Sequence, residues 1–449
     1  MYMQLWLAAQ EGRADEVERL LGCHPSLSGE YRKLPREFAI YRALHVSVCN
    51  DHVASTVVML TASRALENRG VSLLHTAARN GNAGTLRLLL TRGAPAGQYL
   101  EGRSCIGLAV EHGDLNAAKV LVEYGADVNS TDDPLCIAAQ AGHVDMARFL
   151  LESRAVLDTA CAHGCSPLVH AALKQHWDMV AFLLQRGADV DTVDSYSGST
   201  SLAVAASYGH CETAKLLLHC RAAVDGADSR SVPLAAAVEN EHVAMALLLL
   251  HHEAAVDKET GSSRLTPLMI AAFGGQVESA RVLLEHKACV VRVGTYGLAP
   301  LACACTNGHV ELAKVLLAYK APVNLDDHVP LIYACDRGHL ELARVLLDHK
   351  AAIDQTDRSQ RTPLICAVRA NCVSVVRLLL ERGVDIERCP GTEGPPLAQA
   401  VQYGHTDLAE FLVASKASIE CRGRSGATLL ELAQRTNRWL VRRVRQWYK

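Results

Sequence analysis

One phrase recurs along the chain at a nearly fixed interval, and that periodicity limits the architecture more than any other feature. Its proline position falls at Pro134, Pro167, Pro233, Pro267, Pro300, Pro330, Pro363 and Pro396, with Ser201 and Leu429 standing in where proline is missing. The successive gaps are 33, 34, 32, 34, 33, 30, 33, 33 and 33 residues. Three phrases follow in order within each period. Leu265-Thr-Pro-Leu-Met-Ile-Ala-Ala272 and Arg361-Thr-Pro-Leu-Ile-Cys-Ala367 show the first, and Gly308-His-Val-Glu-Leu-Ala-Lys-Val-Leu-Leu317 and Gly338-His-Leu-Glu-Leu-Ala-Arg-Val-Leu-Leu347 the second. Gly187-Ala-Asp-Val-Asp191 and Lys350-Ala-Ala-Ile-Asp354 show the third. A segment of about 33 residues cannot bury its own apolar face, so successive copies must stack.

Each phrase has a local physical role. Proline fits the first turn of a helix, where its missing N–H is not needed, and the preceding Thr can cap that end. The Ala-rich helix that follows is thin enough to pack closely. Gly-His then breaks the chain, and the Leu-Leu pair of the second helix returns at helical spacing. The Asp-rich phrase makes an Asx turn that projects sideways.

With Thr-Pro-Leu, Gly-His and Gly125-Ala-Asp-Val-Asn129 all recurring in order, the chain resembles the ankyrin repeat family. The resemblance implies an all-α solenoid of antiparallel helix pairs with β-hairpin fingers, recognising proteins through a concave groove. It extends toward the N-terminus through Ser104-Cys-Ile-Gly-Leu-Ala109, Ser72-Leu-Leu-His-Thr-Ala-Ala78, Ala43-Leu-His-Val-Ser47 and Met3-Gln-Leu-Trp-Leu-Ala-Ala9. About 14 repeats result. Residues 1–69 read as two degenerate repeats including an N-cap, 70–422 as the array, and 423–449 as a C-terminal capping repeat. Within that last repeat the Val-Leu-Leu of the second helix becomes Val444-Arg445-Gln446, a polar outer face suited to the end of a stack. Repeats thus account for the length, and no segment is left over for another domain. Leu27 to Glu37 stretches the spacing between the first two repeats, so an extended loop or distorted finger is expected there. Short gaps before Pro134 and Pro330 predict truncated fingers at Asp132-Asp133 and Asp326 to Val329.

Composition removes several function classes. The formal net charge of -3 offers no general attraction for nucleic acid or anionic membranes. Sixteen Cys lie beside Leu and Ala in helical patterns, as small buried hydrophobes of a reduced, intracellular protein do. The N-terminus lacks a basic n-region, and the longest apolar run, Val243 to Leu250, is too short to span a bilayer. A cytoplasmic or nuclear location is expected, and a monomer.

Candidate chemistry is sparse. His52, His143, His176, His210, His242, His309, His339 and His405 recur once per repeat, so they belong to separate layers and are expected to hydrogen-bond between them. Cys161-Ala-His-Gly-Cys165 could bring three soft ligands together on an extended finger, but zinc favours Cys-x2-Cys and a fourth ligand. Finger packing is the expectation, with no metal site and no cofactor. Cys303 and Cys305 diverge on a helix. No nucleophile–base set has a spacing that the repeat leaves unexplained, so no catalytic residue and no small-molecule substrate is assigned.

The positions that the repeat leaves free are the finger tips and the two residues before Gly-His. In this family those pairs face the groove. They include Tyr208, Phe273, Asp336, Arg337, Arg369 and Tyr403, and the finger tips add Tyr196, Tyr296, Asp228, Arg230, Arg358 and Arg361. Only 5 Phe and 4 Trp occur, so rings at exposed positions stand out, and Tyr and Arg dominate interface energetics. Tyr196, Tyr208, Phe273, Tyr296, Asp336, Arg337, Arg369 and Tyr403 are therefore the candidate partner-binding residues. Asp-rich fingers favour a basic or mixed-charge protein partner. The expected function is a non-enzymatic scaffold or adaptor. Alternatives are a targeting subunit such as a ubiquitin-ligase substrate receptor, which needs a recruitment segment not found here, and membrane or nucleic-acid attachment through the basic C-terminal helix. The basic C-terminus carries Arg435, Arg438, Arg442, Arg443, Arg445 and Lys449 around Trp439 and Trp447, though a capping helix must expose polar residues too. The family resemblance also marks Asn129, in Leu121-x5-Asp-Val-Asn, as a site for Asn hydroxylation.

Overall fold

Short helices in antiparallel pairs, joined by tight turns, build the whole described chain. The computed structural model describes residues 2–22, 36–61, 65–161, 164–227, 230–295, 297–325, 329–391, 394–423, 426–436 and 438–448. Twenty-eight helices among them form fourteen consecutive pairs, from Tyr2–Gln10 with Ala14–Gly22 to Leu429–Thr436 with Arg438–Trp447. Most are seven to nine residues long, too short to persist alone, so their stability comes from packing.

The starts of the helices follow the sequence closely. Pro134, Pro167, Pro233, Pro267, Pro300, Pro330, Pro363 and Pro396 are each the first residue of a helix. Thr266 and Thr362 accept from the backbone N–H of Met269 and Ile365, and Ser166 and Ser104 do the same for Val169 and Gly107. Such a cap contributes about 1 kcal/mol.

Ser201 opens its helix without proline. Thr200 caps it, accepting from Ala203 N at 3.2 Å, but the fully buried Ser201 hydroxyl has no hydrogen-bond partner among the described residues. Thr200 also forms an antiparallel bridge with Val193, an extended conformation that a following proline requires. Ser201→Pro is therefore expected to stabilise the chain by about 0.5–1 kcal/mol, read as a higher urea midpoint. A lower midpoint would show that the Ser201 N–H carries a needed bond.

The chain divides into two compact units, residues 1–204 with 212–223 and residues 205–211 with 224–449. In each, Ala and Leu fill the layers: Ala77, Leu86, Ala109 and Leu121 in the first, Ala304, Leu312, Leu316 and Ala334 in the second, all essentially inaccessible. In the second unit the first helices of neighbouring repeats pack more closely against one another than the second helices do. Small Ala side chains permit that approach.

Fingers prove less sheet-like than the resemblance implies. Among the described residues one two-stranded ladder forms, Tyr99–Leu100 against Arg103–Ser104, and three others reduce to single bridges. Side chains replace the missing ladder. A carboxylate or carboxamide of one finger accepts from a backbone N–H of the next: Asn129 from Val156, Asp158 from Asp189 and Asp191 from Ala223 in the first unit. Asp225 from Ala255, Asp257 from Cys289, Asn324 from Ala352 and Glu387 from Ser418 continue the pattern in the second. The shortened finger before Pro134 is closed by Asp132, which accepts from both the N–H and the hydroxyl of Ser104, while Asp133 takes a left-handed φ of 50°. Residues 326–328, where the second short finger was expected, and most of Leu27 to Glu37 lie outside the described residues.

Candidate functional site

The helix junctions carry both the inter-layer bonds and the free positions, so the two are built together. Imidazole Nε2–H of His52 donates to Gln10 O at 3.0 Å and that of His176 to Gln140 O at 3.1 Å. In the second unit His242 reaches Ser207 O, His309 Phe273 O, His339 Thr306 O and His405 Arg369 O, at 2.9–3.4 Å. Gln276 replaces the histidine and still donates to Glu239 O. Cys372 replaces it too, but its thiol bonds locally to Ala370 O, so the ladder has a gap there. These histidines are structural ties between layers, as their spacing suggested.

The ladder fixes the residues just before it. Phe273, half-buried, has its carbonyl held by both His309 and the Asn307 amide. Asp336 and Arg337 are exposed, and Tyr208 and Tyr403 are 47% and 44% exposed. The Arg369 guanidinium lies 5.5 Å over the Tyr403 ring, which also stacks on His405 at 6.0 Å. Cation–π and stacking contacts hold that ring in place before any partner arrives. These residues all belong to the second compact unit and stand at, or just after, the C-terminal ends of first helices. Tyr196, in the first unit, is 92% exposed on a finger whose turn is held by Asp194. Tyr296 and Asp228 lie outside the described residues. Arg361 is tied into its own finger by a 2.6 Å ion pair with Asp357.

Many finger acids are already engaged. Asp127 and Asp189 each accept from a backbone N–H two residues on, while Asp191 and Asp225 bridge to the next finger. Asn129 is exposed, yet both ends of its amide bond to the next finger, Oδ1 from Val156 N and Nδ2 to Arg154 O.

The C-terminal helix Arg438–Trp447 packs one face inward. Leu440 and Val444 are fully buried, and Arg443 pairs with Glu410 and lies 5.1 Å over the Trp439 ring. Arg442, Arg445 and Gln446 face outward.

One cluster departs from the expectation that no metal ligands converge. The Cys161 and Cys165 thiols take different partners; the Cys161 Sγ lies 3.1 Å from His170 Nε2, and the Cys136 Sγ joins them, all three ligand atoms within 4.8 Å of one another. His163 lies outside the described residues. Cys165 turns the other way and its thiol donates to Asp194 Oδ1 at 2.8 Å. Burial, and then that carboxylate, push the Cys165 thiol up to about 12. Burial likewise raises the Cys136 thiol far above its ordinary range. No sequence spacing signals this set, because its members come from two helices and a finger of successive repeats.

Family models of ankyrin repeats match residues 44–132, 106–194, 234–327 and 323–389, with further matches at 367–413 and 197–229. The chain belongs to the ankyrin-repeat family. Over 85 residues it is 38% identical to the human and mouse ARF GTPase-activating protein GIT1, covering 18% of this chain and 11% of those proteins. Over 70 residues it is 39% identical to mouse protein phosphatase 1 regulatory subunit 27, covering 15% of this chain and 46% of that protein. The chain thus matches about a tenth of the length of the first relatives and a little under half of the last. The human ASB11 ankyrin repeat domain is 28% identical, with a TM-score of 0.45, over 48% of this chain and 97% of that one. Ankyrin-repeat domains mediate protein–protein interactions and form a non-catalytic scaffold family; this array is not an enzyme. Among the described residues no helix is long and apolar enough to cross a membrane.

Proposed function

We propose that the chain is a scaffold or adaptor that holds a protein segment along the first-helix side of its second unit, gripped by Tyr208, Phe273, Arg337, Arg369 and Tyr403. The observation that carries this is Tyr403, a half-exposed ring already oriented by Arg369 and His405 in a chain poor in aromatic rings. A ring held in one rotamer loses little entropy on binding, and Tyr and Arg are the residues most enriched among binding hot spots. Exposed Asp336 beside Arg337 and Arg369 suits a partner segment of mixed or basic charge. Tyr196 offers a separate finger contact in the first unit, and Tyr296 a further one by its place in the repeat. Monomeric action, a cytoplasmic or nuclear site, and hydroxylation at Asn129 belong to the same proposal. The basic C-terminal helix serves as a cap in this reading, because the apolar face that a membrane would need is spent on packing.

Affinity capture with the wild-type chain and with Tyr208→Ala, Phe273→Ala and Tyr403→Ala variants tests the assignment. At least one variant is expected to weaken a captured partner by about 2 kcal/mol or more, some thirtyfold in Kd. Partners retained equally by all three variants would sink the groove assignment.

A further inference from the structure

Cys136, Cys161 and His170 converge from three segments of two successive repeats. Cys136 sits in the first turn of the helix Pro134–Ala141, Cys161 on the finger that follows that pair, and His170 on the helix Pro167–Leu173. We propose that these three residues form a binding site for a divalent cation of the zinc class, with the fourth position left to water.

The geometry is close to what such an ion needs. At a Zn–S distance of about 2.3 Å, tetrahedral sulfur ligands stand about 3.8 Å apart. The three ligand atoms already lie within 4.8 Å of one another, so a contraction of about 1 Å, within reach of side-chain rotation, completes the set. The donor chemistry is selective: two thiolates and an imidazole suit zinc far better than calcium or magnesium. Loading releases both thiol protons to solvent, and two thiolates with a neutral imidazole balance the charge of the ion. A buried thiolate needs such a countercharge, and Cys136 is 4% exposed.

The finger is built to keep Cys161 in place. Cys161 N donates to Cys165 O at 3.0 Å and Gly164 N to Cys161 O at 2.7 Å, closing a tight turn. Ser195 pins that turn through a 3.0 Å bond to Gly164 O, and a Cβ at Gly164 would come within 2.2 Å of the Ser195 hydroxyl. Cys165, the nearer cysteine in sequence, is held away by Asp194. Cys136 also lines a small cleft together with Val128, Pro134, Val156 and Thr159.

Titration of the reduced full-length chain with Co2+ tests the site. One equivalent is expected to give the intense visible bands of tetrahedral cobalt with thiolate charge transfer, and zinc to bleach them. Cys136→Ser, Cys161→Ser and His170→Gln should each weaken binding at least about tenfold, since even indirect partners of a metal are worth that much. Cys165→Ser should bind as wild type. Absence of saturable thiolate bands, an octahedral spectrum, or loss confined to Cys165→Ser would overturn the proposal. Should a variant fail to fold, alkylation of the wild-type chain replaces it. Zinc is expected to slow modification of Cys161 at least about tenfold while Cys211 and Cys220 react as before. An unchanged rate at Cys161 would overturn it equally.

Discussion

Gly275→Ala is expected to destabilise the array by about 3 kcal/mol, whereas Gly383→Ala should cost about 1 kcal/mol. Both glycines follow a helix with left-handed backbone, at φ of 74° and 82°. Any residue with a Cβ pays about 1–2 kcal/mol there. The difference lies in what each faces. No atom stands within 4 Å of a Cβ built on Gly383, but one on Gly275 would sit 2.5 Å from Nδ1 of His309. The imidazole must move, and its 2.9 Å bond to Phe273 O breaks with it. A double-mutant cycle separates the terms. With His309→Ala already in place, Gly275→Ala should cost only its backbone strain, about 1 kcal/mol. Equal costs of Gly275→Ala in both backgrounds would refute the glycine–imidazole contact as the reason for the Gly-His phrase. Because Phe273 is positioned by the same bond, the single variant should also weaken any partner that Phe273 holds.

Asp194→Ala should be the second large loss, about 2–3 kcal/mol at neutral pH. The residue is 7% exposed, and its carboxylate accepts from Cys165 Sγ, from Tyr196 N at 3.2 Å and from both Ser197 N and the Ser197 hydroxyl. Burial alone would push the carboxyl up; the bonds from Cys165, Ser197 and Tyr196 outweigh it and hold the pKa at about 2. An unfolded Asp titrates near 3.9, so the folded chain binds this proton less tightly than the unfolded one. The resulting stability, about 2 kcal/mol, is complete above about pH 4 and disappears as the pH falls toward 2. Asp194→Asn should therefore cost most at pH 7 and less than about 1 kcal/mol near pH 2, in urea unfolding followed by circular dichroism. A cost that does not change with pH would mean that the carboxylate charge plays no part.

Helix starts were legible because proline and its capping Thr act through the local backbone alone. Interlayer histidines were legible as well, since a residue recurring once per period has to occupy the same place in every layer. Tyr208 and Tyr403 could be placed at exposed positions for the same reason, whereas Phe273 is half-buried. Ser201 was visible as an exception to the proline rule. What made it an expected point of improvement, a buried hydroxyl lacking a partner, depends on neighbours outside its own sequence.

The finger acids show where linear reading ends. Asp189 forms an Asx turn that its own sequence explains, but Asp191 and Asp225 bond to the next finger, 32 and 30 residues away along the chain. The same holds for Cys161. Its neighbour Cys165 looked like its partner, yet the finger turn sends the two thiols to different places, one toward His170 and the other toward Asp194.

The sequence by itself determined the period, the helix pairs and the family. Those follow from rules that act within one repeat: capping, helical periodicity, and the inability of a single copy to bury its apolar face. Only the tertiary structure decided which side chains of neighbouring repeats meet. Stacking brings residues a full period apart into contact, and the backbone angles of each turn aim their side chains. The glycine–imidazole contacts, the carboxylate ladder and the Cys136–Cys161–His170 cluster all arise at that level.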